Sequence, residues 1–587
     1  MRTPFLQYLY LQKPLTTILI ICAASVLPWI GLGDFSTKGE PREAAVAISM
    51  LESGNHTLPQ TYADEFAYKP PMAHWMMAAL SIPSGHVSEF TSRLPSALAY
   101  ITLIGVTLFF FGQRNTRFQE TFIAALLLLT SIEIHRAGTT ARVDMLLTTF
   151  IVTGLYTLYR WDDCRELKGL PISIPLLLGC AALTKGPVGI VLPLLTFGIY
   201  LLALSKYKLP TILKALLYAG TSSLFLPLIW YAAAWKQGGN DFINIVMAEN
   251  FGRFFHAPVA INYELGHENG IWYNLLTLLA GFMPWTILIL LSLPAIKLPH
   301  HMTSLKTLPR KALASFRSME KPKQFSLIAL ICILVFYSIP SSKRSVYLMP
   351  AYPFIAIFLA QYILYATQYA KKATGAFAII LVSIIITTLT LATLVATKVI
   401  DPVAIAATYT SRATTLNSIE IIKNAIISPD TLTALITAIT LAATVTVLCH
   451  MRRKINLKIL YSAIFLVFAI HLIIDGIIMR AIHNETSPRP FAERIIKEYP
   501  VDKSNVYVMN NPKEYANLYG LNFYMHNTFH NFETERPQSG YLFAAENDAA
   551  KITTRYKDTY TFHHISSSDK ESGDLKQKIY FYKFVGK

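Results

Sequence analysis

The feature that most restricts this chain is a succession of apolar runs, each near the length that crosses a hydrocarbon core of roughly 30 Å. They fall near 15–33, 94–112, 119–136, 143–160, 172–184, 187–204, 212–234, 271–295, 325–340, 346–367, 374–398, 430–450 and 459–480, thirteen in all. A backbone in lipid must satisfy its own amide and carbonyl groups, so such runs predict helices and an α-helical polytopic membrane protein. The balance of 53% hydrophobic against 15% charged residues agrees with that class. In a soluble chain the net charge of +17 would direct attention to nucleic acid, but here the loops that carry it decide its meaning. With the N-terminus inside, the inner loops hold Arg114 and Arg117, Arg160 with Arg165 and Lys168, Lys206 with Lys208 and Lys214, the stretch Lys297 to Lys323, Lys371 with Lys372, and Arg452 to Lys454. Each is basic, so the positive-inside rule selects a cytoplasmic N-terminus. The first run is too long for a signal peptide and lacks a small-residue cleavage site, so it reads as a retained span. The five cysteines lie in or beside apolar runs without paired spacing, which indicates neither disulfides nor a cysteine metal site.

The expected division is a transmembrane domain over 1–482 and a soluble C-terminal domain over 483–587. Within the first, outer loops at 34–93 and 236–270 collect the polar oddities. Gly39-Glu40-Pro41-Arg42-Glu43 opens a short helix that Gly54-Asn55 should stop, and its apolar Ala44, Ile48 and Leu51 suit a helix lying on the bilayer surface. Tyr68-Lys69-Pro70-Pro71 opens a second, with Lys69 held extended by the proline after it. Two interfacial helices with solvated charges are the plain alternative. Asp144 follows Arg142 at the start of a span, where helix capping alone would account for a carboxylate. Lys185 ends another span before Gly186-Pro187, and snorkelling alone would account for it. Arg253 in Glu249-Asn250-Phe251-Gly252-Arg253-Phe254, His267-Glu268, and Ser342-Lys343-Arg344-Ser345-Val346-Tyr347 add cations to the same side, against the positive-inside trend. In the tail, Phe491–Glu498 reads as a helix, and Val506–Met509, Tyr541–Ala544, Tyr560–His564 and Lys578–Val585 read as strands of a small α/β or α+β domain. His563 and His564 should point to opposite faces of a strand and so read as surface histidines.

The order Gly-Glu-Pro-Arg-Glu, Tyr-Lys-Pro-Pro, Arg93-Leu94-Pro95-Ser96, Arg-Val-Asp, Thr-Lys-Gly-Pro, Glu-Asn-Phe-Gly-Arg-Phe, Pro284-Trp285 and Ser-Lys-Arg-Ser-Val-Tyr-Leu-Met-Pro resembles the lipid A 4-amino-4-deoxy-L-arabinose transferases (ArnT-like proteins) and their protein O-mannosyltransferase relatives. The resemblance covers most of residues 1 to 370 and implies a GT-C glycosyltransferase with about thirteen transmembrane helices and interfacial periplasmic helices. It also implies acidic roles for Glu40 and Asp144, and phosphate-handling or positioning roles for Lys69, Arg253, Lys343 and Tyr347. Where that family commonly has Asp-Glu, this chain has Gly39-Glu40, so Glu40 or Asp34 would have to substitute. Tyr68 replaces a glutamate seen in some members, which weighs against a metal site there.

The expectation is therefore an inverting transfer of a sugar from a polyprenyl-phosphate donor to an envelope acceptor, at the periplasmic face of a bacterial inner membrane. Glu40, Asp144 and Asp34 form the catalytic set. Arg42, Glu43, Lys69, Arg142, Lys185, Arg253, His267, Lys343, Arg344 and Tyr347 form the substrate-binding set. No metal ligand is assigned, and a divalent cation is left open as a cofactor. The partners are the lipid-linked donor, a glycan, lipid or protein acceptor, and the bilayer; nucleic acid is not among them. A secondary transporter or lipid flippase is the alternative, although repeated halves and midplane ion sites are not evident. A non-catalytic scaffold whose tail binds envelope glycans is a third reading.

Overall fold

The computed structural model describes residues 13–112, 118–204, 206–248, 269–270, 272–295, 308–340, 342–511 and 513–587. A helix stands at every one of the thirteen apolar runs, but not as thirteen uninterrupted crossings. Among the described residues seven helices are long and apolar enough to span, or up to nine if two bent pairs each count once. The pairs are Phe118–Leu129 with Ile132–Gly138, bent by 63°, and Trp272–Gly281 with Trp285–Ala295, bent by 104°. Pro14–Val26, Ser173–Lys185 and Val188–Leu204 are apolar but shorter, and Val143–Arg165 is made less apolar by Asp144, its threonines and Arg160. Leu209–Met247 runs well past its expected end, through a break at Gly239, where φ is 57°.

One continuous apolar core fills the bundle. A second joins the first loop to the tail, with Phe35, Ala44, Ala47, Met50, Tyr62 and Met77 packed among Phe491, Leu521, Phe523 and Phe543. Helix Gly39–Ser53 is therefore buried beneath the C-terminal domain, which corrects the expectation of a helix lying on the bilayer. Its apolar positions are claimed by protein instead of lipid. Gly54 ends it in the left-handed region, at φ 69°, where a side chain would be strained. Polar contacts seal the same interface: the Tyr524 hydroxyl accepts from the Phe35 amide at 2.8 Å, the Ala63 amide donates to the Phe529 carbonyl at 3.0 Å, and the Tyr62 hydroxyl accepts from the Leu518 amide at 3.1 Å.

The C-terminal domain is an α/β unit around a five-stranded sheet ordered β2-β1-β3-β5-β4. Its strands are β1 (Val506–Val508), β2 (His530–Asn531), β3 (Ser539–Ala545), β4 (Tyr560–Ser567) and β5 (Ile579–Gly586). β1 pairs in parallel with β2 and β3, whereas β5 runs antiparallel to β3 and β4. β2 was not foreseen, being two residues long and lacking any alternation. Helix Arg489–Glu498 covers the sheet through Phe491, Ala492 and Ile495.

In the bundle, the hairpin of Ser173–Lys185 and Val188–Leu204 depends on close backbone approach. A Cβ on Gly189 would lie 2.4 Å from the Ala181 carbonyl carbon and 2.5 Å from the Ala182 nitrogen. Gly189→Ala should therefore lower stability by about 1–3 kcal/mol, as overpacking does. Gly375→Ala, with nothing within 4 Å of the new methyl, should leave the melting temperature of the detergent-solubilised protein nearly unchanged.

Candidate functional site

Charged side chains from several segments meet around helix Gly39–Ser53 and Asp144, and each carboxylate there has a distinct set of partners. Glu40, in the first turn of Gly39–Ser53, is 3% exposed. Its Oε1 accepts from Arg93 Nε at 2.8 Å and from the Ala141 amide at 2.9 Å, and its Oε2 accepts from Arg93 Nη2 at 3.2 Å. Arg93 Nη1 donates onward to the carbonyls of Ile30 at 2.9 Å and Gly33 at 2.6 Å. Burial raises the Glu40 pKa, but Arg93 and the Ala141 amide outweigh it and hold the group below its ordinary value. With both oxygens engaged, Glu40 has the geometry of a strut, and the expected proton-acceptor role does not fit it. Asp34 also departs from the expected set: its Oδ1 pairs with Arg489 Nη1 at 3.1 Å and its amide donates to Asn484 at 2.8 Å, tying the loop to the tail.

Glu43, one turn further along, is the centre of a cationic cluster. Its Oε1 accepts from Lys69 Nζ at 2.6 Å and Arg42 Nη2 at 3.0 Å, and its Oε2 accepts from His74 Nε2 at 2.8 Å. Burial raises its pKa, yet Lys69, the His74 hydrogen bond and Arg42 together hold it well below the ordinary carboxylate value. The surrounding protein lowers the pKa of Lys69, and Glu43 restores it only in part. His74 was missed from sequence. Its signal was a lone ionisable residue in the apolar helix Met72–Ser81, a pattern equally expected of an incidental buried histidine.

The second carboxylate centre is Asp144, which accepts from Lys185 Nζ through Oδ1. The Lys185 ammonium also sits 4.5 Å from the centre of the Tyr347 ring, in cation–π contact, and Tyr347 stacks on Tyr337 at 5.6 Å. Arg142 and Arg344 act electrostatically on Asp144, and Arg142 acts on Lys69 as well, so it bridges the two centres. The glycine at position 39 admits it there. A Cβ on Gly39 would lie 1.8 Å from Arg142 Nη1, so the guanidinium occupies the space an aspartate side chain would need.

Lys343 is turned away. It is 6% exposed and donates to the carbonyls of Pro340 at 2.7 Å and Asn269 at 3.1 Å, which ties the loop together. Arg253 and His267 lie outside the described residues. The remaining charges share one design: the carboxylates are buried, while the side chains of Arg42, Lys69 and Lys185 stay 42%, 33% and 31% exposed. An anion arriving from outside meets the cations first, and the acids behind them fix their positions.

Known proteins share parts of this chain. Residues 68–235 match the family described as dolichyl-phosphate-mannose-protein mannosyltransferase. An uncharacterised protein of Aquifex aeolicus is 26% identical over 351 residues, covering 59% of this chain and 63% of that one. The undecaprenyl phosphate-alpha-4-amino-4-deoxy-L-arabinose arabinosyl transferase of Yersinia enterocolitica is 22% identical over 342 residues, covering 57% of this chain and 55% of that one. The sequence likeness thus spans less than two thirds of either relative. The fold likeness is wider: ArnT from Cupriavidus metallidurans, in its structure bound to undecaprenyl phosphate, superposes with a TM-score of 0.68 at 17% identity over 97% of each chain.

Because Glu43 has a lowered folded pKa, the stability it contributes is fully present above about 4.5, its ordinary value, and is lost as pH falls through the folded value. Glu43→Gln should cost about 1–3 kcal/mol at neutral pH. The gap in melting temperature between wild type and variant should stay constant from pH 8 to about 5 and shrink below about 4.5. A gap that widened on acidification would contradict the assignment.

Proposed function

We propose that this chain, which has the ArnT-like GT-C fold, is a polyprenyl-phosphate-sugar-dependent glycosyltransferase of a bacterial inner membrane. Its acceptor is an envelope molecule such as lipid A, another glycan or lipid, or a protein, and its site faces the periplasm with the C-terminal domain on that side and the N-terminus in the cytoplasm. The observation that carries the proposal is the convergence of Arg42, Lys69, Arg142, Lys185 and Arg344 on two buried carboxylates beside the ends of membrane helices.

A long isoprenoid gains roughly 0.8 kcal/mol per buried CH₂, so a lipid-linked donor stays in the bilayer and its phosphate waits at the interface. Arg42, Lys69 and Arg142 are the groups that hold that phosphate. Their charge stabilises the negative charge that builds on it as the bond to the sugar breaks. A phosphate leaves without needing a proton near neutral pH, which accounts for a site rich in cations.

The acceptor supplies the proton that moves. Its hydroxyl oxygen attacks the anomeric carbon from the face opposite the phosphate, the C–O bond to phosphate breaks, and the hydroxyl proton passes to a carboxylate. Asp144 takes this role. Lys185 holds its Oδ1, and among the described residues Oδ2 is the oxygen left to meet a hydroxyl. Glu43 orients Lys69 and Arg42, and Glu40 acts at a distance by keeping the loop in place.

The test is sugar release from undecaprenyl-phosphate-linked donor by purified protein in nanodiscs, with lipid A, glycan and peptide acceptors offered separately. Asp144→Asn should lower kcat by about 10²–10⁴-fold with donor affinity nearly unchanged. Lys69→Ala should weaken donor affinity by about tenfold or more, as expected for loss of a charged hydrogen bond. Near-normal turnover in Asp144→Asn would remove the base assignment. Substrate-coupled flux in proteoliposomes without any transfer would favour the transporter alternative.

A further inference from the structure

Away from the transfer site, the first loop and the C-terminal domain bring together three side chains of metal-ligating type. Asp64 lies in the turn Tyr62–Asp64, His530 in β2, and Glu535 at the end of the short helix Phe532–Glu535 that follows. His530 Nδ1 is 3.2 Å from Asp64 Oδ1 and 3.1 Å from Glu535 Oε1, and the three ligand atoms lie within 4.8 Å of one another. Atoms bound at about 2.0–2.2 Å around a tetrahedral ion stand roughly 3.3–3.6 Å apart, so the two distances from His530 Nδ1 are close to those of a coordination shell.

The ring's other nitrogen sets the chemistry. His530 Nε2 hydrogen-bonds the Lys503 carbonyl and must donate to it, so in the neutral ring Nδ1 presents a lone pair towards both carboxylates. Such a face is repulsive unless something positive lies between the groups. A proton on Nδ1 would leave one of two negative charges uncompensated; a divalent cation neutralises both. Among the described residues no lysine or arginine pairs with Asp64 or Glu535, and nearby Lys503 is paired with Glu52 instead. Two of the ligands also have an orienting partner of the kind that supports metal ligands: the Lys503 carbonyl for His530 and the Asn531 amide at 3.3 Å for Asp64.

We propose that Asp64, His530 and Glu535 bind a divalent cation of the Zn²⁺, Co²⁺ or Mn²⁺ class and thereby clip the first loop to the C-terminal domain. One imidazole nitrogen and two carboxylates suit such ions and leave positions for water. The clip would act on the segment that ends at Lys69, with the Ala63–Phe529 backbone hydrogen bond beside it setting the approach. Its ligands are distinct from the residues of the transfer site.

The experiment uses the full chain, purified without a polyhistidine tag, stripped with chelator and reconstituted in nanodiscs. Co²⁺ is titrated and followed by its visible absorption and by melting temperature. Wild type should bind one equivalent more than His530→Gln and gain a saturable rise in melting temperature. Glu535→Gln, an exposed position tolerant of change, should fold normally and weaken that equivalent by about tenfold or more, no less than losing an outer partner costs. Equal stoichiometry and equal affinity in wild type and both variants, or saturation of the wild type only above millimolar Co²⁺, would overturn the proposal in favour of an imidazolium ion pair.

Discussion

The buried pairing of Arg93 with Glu40 is the contact on which the arrangement of this end of the molecule depends. Arg93 belongs to a membrane helix, Glu40 to the first loop, and the amide that completes the carboxylate's shell to the turn before Asp144. Three segments are thus indexed against one another by a single planar ion pair, and the carbonyls of Ile30 and Gly33 use the guanidinium's remaining directions. Removing one partner of such a pair costs about 3–5 kcal/mol, because the other is left charged and dry. The pair contributes less as net stability than as definition: it leaves the loop one way to sit, and Glu43 follows from that.

From this fixed point the remaining charges separate by depth. Acids at the bottom carry no solvent exposure to speak of, and the cations over them retain partial access to water. Each cation is therefore held without being neutralised at its outer surface. Tyr347 serves the same end for Lys185 by offering a ring face, which attracts the ammonium but supplies no competing negative charge. Any anion reaching these cations meets donors whose positions are already determined, so little ordering remains for binding to accomplish.

Much of the fold was legible in the sequence, because hydropathy reports on the solvent a segment faces and thirteen apolar runs became helices where expected. The lengths of the crossings were less legible, since a bend such as the one between Gly281 and Trp285 depends on what packs inside it. The helix Gly39–Ser53 shows the same limit in another form. Its apolar face was read correctly, but hydropathy does not say whether lipid or protein will cover it. Among the charged residues singled out from sequence, Lys69 does meet Glu43 and Lys185 does meet Asp144. Which partner each carboxylate takes was not legible, because Arg93 reaches Glu40 from 53 residues away. The partners of Lys343 were not legible for a related reason: a cation in a loop can equally serve backbone carbonyls.

Gly39 and Arg142 occupy one volume between them. The identity of either residue consequently limits the other: an acidic side chain at 39 demands that the arginine withdraw, and the arginine in its present place demands a glycine. Keeping the arginine and forgoing the acid leaves this end of the molecule a full negative charge poorer. Its electrostatic preference thereby moves further towards anions than an acidic side chain at 39 would allow.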